Sequence, residues 1–209
     1  MHAKLSSLFR PIQGNGRVTS YRYVERSASP LLRPYVSCYW MSEPVTLLER
    51  ASSIHTAAQI DRVLPDGCTD IIFTYSPLQD RYSLRLIGAF TDPFAIVYEE
   101  DSPIHHFGVR FFPGGAFSLL QTAMAEFGGS STDLELILPG SVQRLCERLF
   151  AGRSLDEKTK AMEEFLLSCL REHGAVQDDV MANLLYRIFE SGGKMTVREL
   201  AKAEYLSAI

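Results

Sequence analysis

The chain has 209 residues, 46% apolar and 22% charged, which at roughly 150 residues per domain is about one and a half domains and excludes a disordered tail or a fibre. Its 21 Lys plus Arg stand against 25 Asp plus Glu, a net charge of -4; there is no general attraction to nucleic acid or anionic lipid, and any DNA contact must be local. The four cysteines, Cys38, Cys68, Cys146 and Cys169, show no Cys-x-x-Cys spacing, which excludes a zinc ribbon and a secreted disulfide framework and points to buried, reduced thiols.

The N-terminus lacks the continuous apolar stretch of a signal peptide. No uncharged apolar run approaches the roughly 20 residues needed to span a bilayer, so the expectation is a cytoplasmic protein without a membrane partner. Turn formers at Gly14-Asn15-Gly16, Pro65-Asp66-Gly67, Asp92-Pro93 and Pro113-Gly114-Gly115 punctuate short apolar runs, the pattern of strands and turns. Residues 69–75 are nearly continuously apolar, β-branched and aromatic, as in a central strand covered on both faces. Tyr82, Leu84 and Leu86 alternate with Ser83, Arg85 and Ile87, and Phe107, Val109 and Phe111 with Gly108, Arg110 and Phe112, so each strand presents one apolar face.

Beyond about residue 115 the period changes. Val142, Leu145, Cys146, Leu149 and Phe150 follow helical spacing. A longer helix is predicted from Leu155 to His173, opened by a Ser154–Glu157 capping box, striped by Ala161, Met162, Phe165, Leu166, Cys169 and Leu170, and ended by Gly174. That stripe suits either a dimer interface or packing on the β domain of its own chain. A further helix, Gln177 to Glu190, would bury Val180, Met181, Leu184, Leu185, Ile188 and Phe189 and stop at Gly192-Gly193. The last begins at Thr196, capped through Glu199; a tight turn follows, then Ser207, whose hydroxyl can cap another helix. Small Ala201 would let that second helix approach closely, as a helix-turn-helix requires. The fold class is therefore α+β, a β domain followed by helices.

Three segments, PYVSCYW (Pro34 to Trp40), RVLPDGCTDIIF (Arg62 to Phe73) and FGVRFFPGGA (Phe107 to Ala116), stand ahead of this helical stretch. Together they resemble the N-terminal domain of a group of bacterial AraC-family transcription regulators. The resemblance implies a cupin-like β-barrel sensor over residues 1–140, a helical linker and candidate dimerisation region over 141–175, and the start of a helix-turn-helix DNA-binding domain over 176–209. Thr196, Arg198, Lys202 and Ser207 then fall in the DNA-binding motif. The recognition helix would open at Ser207 and be cut after three residues, so the expectation is DNA binding by the full-length protein only. Tyr205 departs from the family pattern, which usually has glycine in this turn.

Candidate ligand-binding residues follow from charge and position. Asp66 and Asp70 flank a turn entering the central strand and Arg110 lies in the strand of another characteristic segment, so the three could converge as an ion pair or a hook for an effector. Trp40, Tyr39 and Phe73 are the aromatics expected near such a pocket, with core packing as their competing role. His55, His105 and His106 with Cys68 do not make a metal site, since adjacent histidines in a strand point to opposite faces. No nucleophile elbow, zinc-protease helix, phosphate-binding loop or dinucleotide fingerprint occurs, so no catalytic residue, cofactor or metal is assigned. The expected function is the sensor portion of a regulator with a small-molecule effector; the alternative is a cupin-like binding protein or enzyme whose C-terminal helices merely cover the barrel.

Overall fold

The computed structural model describes residues 7–11, 20–45, 60–97, 103–174, 176 and 178–207; the turn at Gly14-Asn15-Gly16 and His55 lie outside them. Eight strands are described: β1 (Tyr21–Arg26), β2 (Val36–Pro44), β3 (Ile60–Val63), β4 (Thr69–Ser76), β5 (Arg81–Ile87), β6 (Phe94–Val97), β7 (His105–Phe111) and β8 (Ser131–Asp133). Six form one antiparallel sheet in the order β1-β2-β7-β4-β5-β8, and β3 pairs with β6 in a separate ribbon. The closed barrel expected from the resemblance is not what these strands form. The sheet ends at β1 on one side and β8 on the other, which pair with β2 and β5 but not with each other.

Central placement of β4 follows its composition, since a strand that is apolar along its length is stable only when both faces are covered. It lies between β7 and β5, with Asp70 opposite Arg110, Ile71 opposite Val109 and Phe73 opposite Phe107. Strict alternation then sorts the side chains. Tyr39, Ile71, Phe73, Leu84, Leu86, Phe107, Val109 and Phe111 face one way and are buried, forming the main core with the helices, and Met41 is buried on the same face.

The helices are α1 (Gly115–Leu120), α2 (Leu134–Ile137), α3 (Val142–Ala151), α4 (Leu155–His173), α5 (Asp179–Glu190) and α6 (Val197–Ala203). α3 lies over β4 and β5, and α4 over β2, β7 and α1. Gly115 lets α1 start against the sheet, because an added Cβ would collide with the Tyr35 carbonyl oxygen. The Ser154–Glu157 capping box opens α4 and Gly174 follows its end, as the sequence pattern predicts. α4 carries its apolar stripe on the sheet, with Ala161, Met162 and Leu166 buried. α5 is less covered than expected: of its residues only Ala182 is fully buried, while Val180 and Met181 are 43% and 48% exposed. Phe189 stacks on Phe9 at 4.5 Å, and Leu184, Leu185, Ile188 and Phe189 are half-buried.

Candidate functional site

On the face of the sheet away from the helices, the antiparallel register sets Cys38, Arg110, Asp70 and Ile87 in one row across β2, β7, β4 and β5. Arg110 meets Asp70 with two parallel bonds, Nε to Oδ1 at 3.2 Å and Nη2 to Oδ2 at 3.1 Å. Its Nη1 donates to Asp66 Oδ2 at 3.0 Å. Asp66 also caps its own turn, its other oxygen accepting from the Cys68 amide at 2.9 Å, and the Trp40 indole N–H donates to Asp70 at 3.4 Å. The planar guanidinium fork matches this arrangement in a way an ammonium could not.

Burial decides the electrostatics. The Arg110 and Asp70 side chains are 11% and 10% exposed, and Asp66, at the rim, 27%. Burial opposes the Arg110 charge, but Asp70 and Asp66 together outweigh it and raise its pKa further. Burial raises the Asp70 carboxyl, against the pull of Arg110 and the Trp40 N–H. Burial also pushes the Cys38 thiol up to about 12 and raises that of Cys68, so both are protonated and unreactive near neutral pH.

Four of the six expected ligand-binding residues, Arg110, Asp66, Asp70 and Trp40, therefore meet. Tyr39 and Phe73 do not join them. Each lies at the opposite parity of its strand: Tyr39 packs on Phe107 at 6.4 Å, and Phe73 beneath the Lys158 ammonium at 5.0 Å, both on the helix side. The β3–β6 ribbon covers the Arg110 cluster, leaving a cavity of about 80 Å³ that Val63, Leu64, Phe94 and Ile96 help to line. Small-molecule sites usually enclose about 300–1,000 Å³. With its fork bonded to two carboxylates, Arg110 ties the sheet to the turn before β4.

Gly108 is the residue that charge-and-aromatic reasoning missed. It lies opposite Trp40, and a Cβ there would collide with the indole ring, so its hydrogen is what lets Trp40 lie flat across β7 and reach Asp70. A lone glycine inside an alternating apolar strand was the available sign. His105 and His106 diverge as alternation requires: His105 faces Glu43 at 3.6 Å, while His106 shares a 3.2 Å hydrogen bond with Thr74 on the ribbon side. Among the described residues no three His, Cys, Asp or Glu side chains are grouped to hold a metal, and no helix is long and apolar enough to cross a membrane.

At the C-terminal end, the Thr196 hydroxyl accepts from the Glu199 amide at 3.3 Å, and Glu199 accepts from the Thr196 amide at 2.8 Å, the capping box that opens α6. Arg198 and Lys202, four apart on one helix face, are exposed, as is Ser207 beyond the turn. Tyr205 takes the left-handed conformation at φ 56°. It is 98% exposed, so its ring meets no neighbour that would oppose this geometry. The Leu206 amide closes the turn on the Ala201 carbonyl at 2.8 Å. Glu204 binds the turn back to α5, accepting from Arg187 Nε at 2.7 Å and from Asn183 at 3.3 Å.

These features define an α+β domain: an open antiparallel sheet with helices on one face, a ribbon and a buried ion cluster on the other, and a helix pair beyond. A family described as a domain of unknown function, DUF6597, matches residues 24–133, and the chain belongs to that family. The match runs from within β1 to the end of β8 and so holds every residue of the Arg110 cluster. No curated protein and no solved structure matches the chain.

Proposed function

We propose that the chain is the sensing part of an AraC-type transcription regulator, in which a small-molecule effector bound to the sheet-and-helix domain changes how α5 and α6 are presented to DNA. The observation that carries this reading is the turn after α6. A capped two-turn helix, a buried Ala201 and a left-handed residue at 205 support reading this end as the first half of a helix-turn-helix. A left-handed residue also ends α1, at Gln121 with φ 54°, so Tyr205 fits the motif while the capped α6 and the buried Ala201 support it.

Control would arise from unequal effector affinity for two packings of the helices. α4 suits the coupling role. Its 19 residues span about 28 Å and run from the α3 turn to Gly174, where α1 receives the chain through a Gln121 side-chain bond to the Gly174 carbonyl. The test is selection of genomic DNA fragments by the protein. Enrichment of a few promoter-proximal fragments, weakened by Arg198→Ala and Lys202→Ala, is the expected result. Recovery of DNA without regard to sequence, or none, would refute it.

A further inference from the structure

We propose that the cavity between the helix-covered face of the sheet and the α3–α4 turn binds a small aromatic carboxylate. Its role as the detector rests on the regulatory reading above; its binding chemistry does not. The cavity holds about 390 Å³, within the size range of small-molecule sites and well above the space beside Arg110.

Part of its wall is aromatic and apolar, with Phe73 and Tyr75 from β4, Phe107 from β7, Met41 from β2 and Phe150 from α3, and the rest is polar, with Glu43, His105, His106, Arg153 and Lys158. Tyr75 and Phe150 meet edge to face, 5.1 Å apart at 75°, and Phe150 is 46% exposed, an aromatic ring at the rim with room for a planar partner. Lys158, in the first turn of α4, is half-buried among these rings, with Nζ 5.0 Å from the centre of Phe73. An ammonium carries three donors, and the Leu149 carbonyl takes one. Burial lowers the Lys158 pKa, with Glu43 and Glu157 acting against it, so an anion arriving beside it would replace hydration that the fold has removed.

The charge balance selects the sign of the ligand. Lys158 and Arg153 line the cavity together with His105 and His106, and the one carboxylate among the lining residues, Glu43, already faces Arg22 at 3.3 Å and His105 at 3.6 Å. An amine would meet Lys158 as a like charge. A neutral ring would leave the ammonium without a new acceptor, and a carboxylate supplies that acceptor while its ring packs against Phe73, Tyr75 and Phe150. Such a ligand would touch the sheet, the end of α3 and the first turn of α4 at once, so its occupancy would be felt where α4 begins.

The probe is 2-naphthoate, titrated calorimetrically into the full chain, with 2-naphthalenemethanol as the uncharged control and cyclohexanecarboxylate as the control without an aromatic ring. Naphthoate is expected to bind best. Lys158→Met should weaken naphthoate about tenfold or more and leave naphthalenemethanol nearly unchanged, the loss expected for one charge-assisted hydrogen bond. Phe150→Ala, at an exposed rim position, should bring naphthoate down towards cyclohexanecarboxylate and serves if the lysine variant does not fold. Absence of naphthoate binding at about 1 mM, or equal affinity in wild type and both variants, would overturn the proposal. The titration involves no DNA, so its failure and that of the fragment selection are separate results.

Discussion

Arg110→Met tests whether the ion cluster holds the fold together or waits for a ligand. The side chain of methionine nearly fills the space of the arginine stem but leaves Asp70, 10% exposed, facing Asp66 with no cation between them. Removing one partner of a buried pair costs about 3–5 kcal/mol, because the other charge stays desolvated. For a domain of this length that is a fall in Tm of about 10 °C. Trp40 is the single tryptophan and donates to Asp70, so its fluorescence in a urea titration follows unfolding from within the site. Two further signs are specific to the pairing. Asp70→Asn combined with Arg110→Met should cost at least about 1 kcal/mol less than the two single losses added, since the double variant buries no lone charge. The Arg110→Met deficit should also shrink as pH falls. Burial already raises the Asp70 carboxyl, and without Arg110 its folded pKa rises further above its unfolded value, so stability is lost as pH rises through that folded pKa and recovered below it. A loss under about 1 kcal/mol at pH 7, or additive single losses, would mean that the guanidinium is not a structural tie.

Gly108→Ala drives a methyl group into the Trp40 indole and should cost about 1–3 kcal/mol with a shifted tryptophan emission; an unshifted spectrum and unchanged midpoint would refute the close approach. Burial, reinforced by His105, pushes the His106 pKa down to about 4, so between pH 6.5 and 4 the unfolded chain takes up a proton that the folded ring refuses, and stability falls across that window by up to about 3 kcal/mol. His106→Gln should remove that part of the acid sensitivity, and parallel stability curves for the two proteins from pH 7 to 4.5 would count against it. Tyr205→Gly loses no packing and relieves a left-handed residue, so hydrogen exchange of the Leu206 amide should slow by up to about 1 kcal/mol; faster exchange would place Tyr205 at negative φ.

The helices and their ends were legible because their determinants are local. Ser154 with Glu157, Thr196 with Glu199, and Gly174 each act within a turn of their own helix, and the structure places α4 and α6 where those residues require. Strands β4, β5 and β7 were legible for the same reason, since alternation is a property of each strand alone. Closure of the sheet is not. Whether β1 and β8 meet depends on edges that lie more than 100 residues apart in the chain, and no residue in either strand reports its partner. The partial exposure of α5 is likewise a matter of what packs on it; its apolar stripe is present in the sequence, but the stripe cannot say how much surface is available to cover it.

The site shows the same division more sharply. Taking Asp70 and Trp40 as neighbours of Arg110 fixes the face of each strand. Period two then sends Tyr39, one residue from Trp40, and Phe73, three from Asp70, to the opposite face, where the structure has them. Parity could have divided the five strand residues among the six candidates into Trp40, Asp70 and Arg110 on the ribbon side and Tyr39 and Phe73 in the helix-side core; Asp66 lies in the turn before β4, where parity says nothing. It could not have found the larger cavity. Lys158 reads in sequence as an ordinary cation in the first turn of a helix, and Phe150 as one more member of an apolar stripe. They become neighbours of Phe73 and Tyr75 only because α3 and α4 cross the sheet with their connecting turn near the C-terminal end of β4. A binding site made by one helix turn against the parity class of another strand has no local signature. That is why a charge pattern led first to Arg110, whose bonds are already filled, rather than to a lysine with donors to spare.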